Sequence, residues 1–216
     1  LLWVCLITFF DPFKKYKIIF HDHYGIDNDV PYWFYLIKKK IDKYIGVSTN
    51  LRNWAIKELK LKKADCFVLP NIRFLEPMRY LPNRFDKDVI RFVHVANILR
   101  NKNIEFSIKL IERLSKYKKV SLSIYGSAAD KQYLDELKKN IKDYNLSSHI
   151  KFIHNENKIE SILPKYDIGL CTSYAESGPL SIIEYLHSGM PFLTINQGEV
   201  VKQIQKNHSE YILNSF

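Results

Sequence analysis

Two glutamates, Glu176 and Glu184, bracket the stretch of this sequence best suited to chemistry. Gly178 and Pro179 lie between them and open a helix, with Pro179 suited to the first helical position, where its missing N–H costs nothing. Leu180, Ile183 and Leu186 are expected to give that helix its apolar face, and Gly189 and Pro191 to close it. A helix start under a glycine-containing loop presents free N–H groups and a partial positive charge, which suit a phosphate. Two carboxylates beside that anion hole suit the hydroxyls of a sugar or ribose. A capped surface helix with two unrelated glutamates has the same spacing. A competing role for the two is that of general acid and nucleophile in a glycosidase, whose carboxyls sit about 5–9 Å apart on rigid supports. A glutamate beside an anion-binding helix start favours a phosphate-bearing donor over a plain glycoside.

His21-Asp22-His23 forms a second cluster, placed just after the apolar run Lys17–Phe20. That run reads as a buried parallel strand, and its carboxyl end is where α/β sheets place ligands. The alternation of side chains along an extended chain is expected to keep the two imidazoles from sharing one ion, so no metal is assigned here. A histidine in substrate contact and a merely structural one both fit the residues.

The elements that must position these groups alternate strand and helix. A helix from Val30 to Lys43, entered through Pro31, carries the basic run Lys38–Lys40 beside Trp33 and Tyr35. This run fits a membrane-surface face, but it fits better a solvated helix end whose lysines complement the dipole. Next come the strand Tyr44–Val47, the cap Ser48-Thr49-Asn50, a helix over Leu51–Leu61 and the strand Cys66–Leu69. This order implies a parallel sheet. Prolines 77 and 82 and the Asp86-Lys87-Asp88 cluster break the periodicity, so residues 71–88 read as a linker between a domain at 1–70 and one at 89–216. In the second domain, strands are expected at Ile90–Val95, Val120–Tyr125, Ile150–Ile153, Tyr166–Thr172 and Phe192–Ile195. Helices are expected at Ile104–Lys116, Asp130–Tyr144 and Ile159–Leu163.

Composition narrows the classes. Hydrophobic residues make up 46% of the 216 and aromatic residues 14%, enough for packed cores and too much for a disordered chain. Cys5, Cys66 and Cys171 are scattered, which argues for a reducing compartment and against a disulfide scaffold or zinc site. The net charge of +10 favours anionic partners. No zinc-finger or RNA-binding pattern accompanies it, so nucleic acid is not assigned. The apolar opening Leu1–Phe10 is too short to span a bilayer and lacks the pattern of a signal peptide. It reads as the tail of a core element in a chain cut at its start.

Taken together, these segments resemble the retaining nucleotide-sugar glycosyltransferases of family 4, which have the GT-B fold of two Rossmann-like domains. The resemblance rests on the Glu176/Glu184 spacing, on Phe92-Val-His-Val-Ala-Asn-Ile-Leu-Arg-Asn-Lys-Asn103 and on Leu122-Ser-Ile-Tyr-Gly126. Tyr166-Asp-Ile-Gly-Leu170, Tyr44-Ile-Gly-Val-Ser48 and Val68-Leu-Pro-Asn71 extend it along the whole chain, with the N-terminal domain incomplete. It implies that Lys102 contacts the donor diphosphate, Glu184 the ribose and Glu176 the hydroxyls of the transferred sugar. The backbone around Ser177, Gly178, Pro179 and Leu180 would face the phosphates, with Pro179 unable to donate. His21, or less well His23, would lie near the reacting carbon. Where the family has arginine, this chain has Asn97, which brings neither charge nor a bidentate fork unless Arg100 or Lys109 compensates.

The resemblance further implies a metal-independent enzyme without cofactor. It would move a sugar from a nucleotide-sugar donor to a hydroxyl of a saccharide or lipid-linked acceptor, in the cleft between the domains, for envelope, capsular or O-antigen polysaccharide. The implied location is cytoplasmic, peripheral to the anionic inner face of the membrane. A non-catalytic module binding a nucleotide sugar or a polyanion is the alternative.

Overall fold

Strands β1 (Ile19–Asp22), β2 (Lys43–Gly46) and β3 (Cys66–Val68) lie side by side in that order, all parallel, in a computed structural model of the chain. It describes residues 16–23, 38–72, 88–156, 158–174, 176, 178–195, 201, 204–205 and 212–213. The expected opening segment Leu1–Phe10, most of the Val30–Lys43 helix, residues 73–87 of the linker and Ser177 fall outside these. The chain divides into two compact units, Leu1–Ile72 and Arg73–Phe216.

In the first unit, helix α1 (Thr49–Glu58) starts two residues before the expected Leu51 and ends three before Leu61, because extended Ser48 alone is the cap and accepts the Leu51 N–H on its hydroxyl at 3.2 Å. Leu51 and Ala55 face inward, and Tyr44, Ala55, Leu59 and Cys66 form a small core. Two expectations need correcting. β1 begins two residues later than Lys17, so His21 and Asp22 belong to the strand rather than following it. Residues 38–40 form a single 3-10 turn and Lys43 opens β2, so the expected helix does not reach Lys43. The short apolar run had hidden this boundary, because periodicity cannot set the ends of a four-residue strand.

The second unit holds a six-stranded parallel sheet in the order β6-β5-β4-β7-β8-β9. Its members are β4 (Val89–Val95), β5 (Lys119–Tyr125), β6 (Ile150–Ile153), β7 (Ile168–Cys171), β8 (Phe192–Ile195) and β9 (Ile212–Leu213). Helices α2 (Ile104–Leu114), α3 (Lys131–Asp143), the short α4 (Ile159–Ile162) and α5 (Leu180–His187) connect them. Alternate residues of one strand enter different cores: Phe92 packs with Ile104, Ile108, Leu122 and Leu137, whereas Val93 packs with Ile162, Tyr166, Ile182 and Tyr185. The sheet is therefore covered on both faces, as a doubly wound fold requires. α2 buries Ile104, Ser107, Ile108 and Ile111, an i, i+3, i+4, i+7 stripe. Asp130 caps α3 by accepting the Tyr133 N–H at 2.9 Å.

Strand order reverses between β4 and β7: the chain proceeds from β4 outward to β5 and β6, then crosses back to β7 on the other side of β4. Such a switch point splays the loops at the carboxyl ends of its two strands and leaves a crevice between them. The loop after β4 carries Lys102, and the loop after β7 carries Glu176.

Candidate active site

The loop after β4 is held by its neighbours before it reaches Lys102. Gly126, at the end of β5, has no room for a side chain, since a β-carbon there would stand 1.9 Å from the Ala96 carbonyl oxygen. The Ala96 N–H bonds the Tyr125 carbonyl and the Ile98 N–H that of Ser127, each at 2.9 Å. A 3-10 turn over Arg100–Lys102 follows, and buried Asn103 then adopts the left-handed conformation (φ 49°, ψ 49°) before α2 begins. Asparagine tolerates that region better than most residues.

From across the switch point, buried Thr172 donates its hydroxyl to the carbonyl of Asn103 at 2.9 Å, within reach also of that of Lys102 at 3.2 Å. Ser107 Oγ lies 3.3 Å from Thr172 Oγ1 and 2.9 Å from Nδ1 of His94, which is buried on β4. Burial, then the nearby charge of Lys102, pushes the His94 pKa down to about 4, so this imidazole is neutral at neutral pH. The turn that presents Lys102 thus rests on a buried polar chain running through three elements.

The Lys102 ammonium meets Glu176 Oε1 at 2.5 Å, with the two side chains 21% and 16% exposed. Ser173 donates to the same oxygen at 2.7 Å, and the Tyr174 N–H bonds the Asn101 carbonyl at 2.9 Å. Two loops from opposite sides of the switch point are so joined by this ion pair and backbone bond in addition to the Thr172 hydroxyl. Partial burial makes this pair stronger than an exposed one. Cys171, at the end of β7, is buried, and burial followed by the charge of Glu176 pushes its thiol up to about 11. It is a small core residue, not a thiolate nucleophile.

Helix α5 departs from expectation in two ways. Pro179 is the N-cap, with φ −68° and ψ 111°, and Leu180 is the first helical residue. The buried face is Ile182, Glu184 and Tyr185, whereas Leu180 and Leu186 are 43% and 51% exposed. The cause lies in β7: Gly169 leaves a notch for the Tyr185 ring, where a β-carbon would stand 2.7 Å from the ring atoms. The Tyr185 hydroxyl accepts the Val95 N–H at 3.2 Å and donates to the Leu170 carbonyl at 3.2 Å, bridging β4 and β7. That bridge fixes the rotation of α5 and turns the adjacent Glu184 inward, to 3% exposure.

The structure therefore brings Lys102, Glu176 and the start of α5 to one switch point, with Glu184 buried on α5. Asn97 is exposed on the β4 loop and accepts a hydrogen bond from Ser127 at 2.9 Å. Arg100 is held by Glu136 at 2.6 Å and lies 3.9 Å from Asp130, so its charge is already matched, and Lys109 is exposed on α2. His21 and His23 belong to the first unit, and their rings lie 4.1 Å apart. The expectation that strand alternation separates them is wrong, because residues two apart share a face. Asp22, between them, points the other way and accepts the Tyr44 hydroxyl at 2.7 Å. Burial and His23 lower the pKa of His21, opposed by Asp22. Among the described residues no group of three or more His, Cys, Asp or Glu side chains is placed to hold a metal. Sequence reasoning missed Thr172, Ser173, Ser107 and His94. The adjacent hydroxyls of Thr172 and Ser173 at the end of an apolar strand were the available signal.

Residues 82–215, well over half of the chain, match the family described as Glycosyl transferases group 1. A comparison with curated protein sequences finds no significant match. Among solved structures, HepE from Anabaena in complex with UDP-glucose aligns with a TM-score of 0.82 at 15% identity, over 99% of this chain and 62% of that one. A glycosyltransferase from Rickettsia africae aligns with a TM-score of 0.74 at 16% identity, over 98% of this chain and 58% of that one. A mutant of TarM from S. aureus, in complex with fondaparinux, alpha-GlcNAc-glycerol and UDP, aligns with a TM-score of 0.76 at 18% identity, over 96% of this chain and 42% of that one. The chain thus spans roughly half the length of these structures, and at such identities they show the fold, the GT-B architecture of Rossmann-like domains. The matched family takes in β4 through β9, the switch point and the Lys102–Glu176 pair. The chain belongs to the glycosyl transferases group 1 family.

Proposed function

We propose that the chain is part of a retaining glycosyltransferase of family 4 whose second unit holds a nucleotide-sugar donor. The observation that carries this reading is the Lys102–Glu176 pair at the switch point, next to the start of α5. Negative charge grows on the donor diphosphate as its bond to the sugar breaks. An ammonium fixed at that place stabilises the transition state more than the ground state. Lys102 takes this role, with backbone N–H groups at Gly178 and Leu180 beside it and no contribution from a metal or cofactor. Glu176 accepts hydroxyls of the transferred sugar, Glu184 accepts those of the ribose, and His21 stands near the reacting carbon. Asn97 offers a phosphate one neutral hydrogen bond, so donor binding leans on Lys102.

The acceptor oxygen attacks the face from which the phosphate leaves: its bond to the sugar carbon forms, the carbon–phosphate-oxygen bond breaks, and the acceptor proton passes to the departing phosphate. Uridine donors are the first to test, since HepE is solved with UDP-glucose and the TarM mutant with UDP. An acceptor saccharide or lipid-linked saccharide of envelope, capsular or O-antigen polysaccharide fits the basic chain. So does a cytoplasmic site of action at the anionic inner face of a membrane. No helix among the described residues is long and apolar enough to cross a membrane.

The test is transfer or donor hydrolysis by the full-length protein with a panel of nucleotide sugars. Lys102→Ala and Glu184→Ala should each lower turnover or donor affinity, Lys102→Ala by about 10²–10³-fold. Undiminished activity and affinity in both variants would reject the reading. Nucleotide binding without turnover in the full-length protein would favour the non-catalytic module.

A further inference from the structure

A cavity of about 680 Å³ opens at the amino ends of the strands of the first sheet. Lys17 precedes β1, Asp42 precedes β2 and Lys43 begins it, and Lys62 and Asp65 precede β3. This is the far end from His21, about 13 Å along the strand from Lys17 at 3.3 Å per residue. Five lysines (17, 38, 43, 60 and 62) line the cavity against two aspartates, a formal charge of +3. Both carboxylates already serve the chain itself: Asp42 accepts the Ile18 N–H at 2.7 Å, and Asp65 accepts the Lys43 ammonium at 2.7 Å. Ile41, buried Tyr44 and buried Leu59 supply an apolar part of the lining.

Lys60 gives a second, independent sign. It follows the C-cap of α1 with φ 58°, in the left-handed region, where the turn closes through the Leu61 N–H and the Ala55 carbonyl at 3.4 Å. Glycine or asparagine is the usual occupant of such a position, because a β-carbon is disfavoured there. A lysine where the backbone favours glycine is an outlier that a ligand contact would explain. Lysines on three separate connections converge on a space whose own carboxylates are spoken for. We infer that this cavity binds a phosphate-bearing ligand, soluble or at a lipid headgroup, at the end of the first unit away from its histidines.

Calorimetric titration of the intact protein with inorganic pyrophosphate tests this, using Lys60→Gly as the principal variant. Glycine suits φ 58°, so the variant should melt no lower than the parent while binding weakens roughly tenfold, the loss of one charge-assisted contact. Lys139→Gln, which removes an exposed lysine of α3, should leave binding unchanged. Three results would overturn the inference: no saturable binding, an equal loss in Lys139→Gln, or binding abolished by Lys102→Ala and untouched by Lys60→Gly. Sedimentation with vesicles of phosphatidylglycerol in phosphatidylcholine then separates the sources. Loss of sedimentation in Lys60→Gly assigns the phosphate to a lipid headgroup, and pyrophosphate binding without sedimentation assigns it to a soluble ligand.

Discussion

Both sheets offer polar side chains at the carboxyl ends of parallel strands, and the two ends are built in different ways. In the second unit, Lys102 and Glu176 are mostly covered, paired with each other, and carried on turns that buried Thr172, Ser107, His94 and Asn103 hold from behind. In the first unit, His21 and His23 stand exposed with their rings together, and only Asp22 between them is tied inward, to Tyr44. The difference follows from what lies behind each strand end. β4 and β7 diverge at a switch point whose backbone groups need side-chain partners, whereas β1 runs beside β2 with its ladder intact through Asp22. A charge developing on a ligand is stabilised best by groups that need not reorganise, and among the described residues the second unit supplies them.

The largest expected effect breaks the support behind Lys102 with acid. His94 titrates at about 4 in the folded protein and near 6.5 when unfolded, so the unfolded chain binds more protons between those values. Stability of the second unit should fall as pH drops from about 6.5 through 4, by up to about 3 kcal/mol. Denaturant melts across that range should show the slope in the parent and a flatter one in His94→Asn; equal slopes would remove His94 from the account.

Next in size is the bridge that sets α5. Gly169→Ala drives a methyl group into the Tyr185 ring, and Tyr185→Phe strips partners from the half-buried Val95 N–H and the buried Leu170 carbonyl. Each should cost about 1–3 kcal/mol in thermal or chemical melts. A neutral outcome for both would mean that the orientation of Glu184 is set by something else.

A smaller effect sharpens the contrast at the pair itself. Without ligand, the Lys102 ammonium is satisfied by Glu176, and a diphosphate must draw it away or share it. Glu176→Gln should therefore tighten binding of a nucleoside diphosphate several-fold, up to roughly tenfold, while slowing sugar transfer. Weaker diphosphate binding in this variant would show that the carboxylate assists the phosphate site instead of competing with it.

Much of this was legible in the residues. β5 and β8 are short, largely apolar runs covered on both faces, and the turn signals Gly126, Gly189 and Pro191 bound them, so their positions could be read directly. α5 was misread because a stripe of Leu180, Ile183 and Leu186 fits helical spacing, while the true face is chosen by a notch at Gly169 and includes a carboxylate. Periodicity counts apolar residues, and it has no way to register a buried glutamate. The histidine pair was misjudged by parity, since residues two apart on a strand face the same way. The chain His94–Ser107–Thr172 could not be read at all, because Thr172 is remote from both partners in sequence and the contact exists only once β4 and β7 are paired. Asn103, directly after Lys102, was the one local hint of the left-handed turn.

The central claim, that buried Glu184 reads the ribose of a donor held by Lys102, is tested most directly by calorimetry with two ligands. Binding of a ribonucleoside diphosphate and of its 2′,3′-dideoxy analogue should be measured on the full-length protein and on Glu184→Ala. The ribonucleotide should be preferred roughly tenfold or more by the parent and no longer by the variant, because its two hydroxyls can donate to the carboxylate and the dideoxy analogue has none to offer. The same preference in both proteins, or none in the parent, would contradict it.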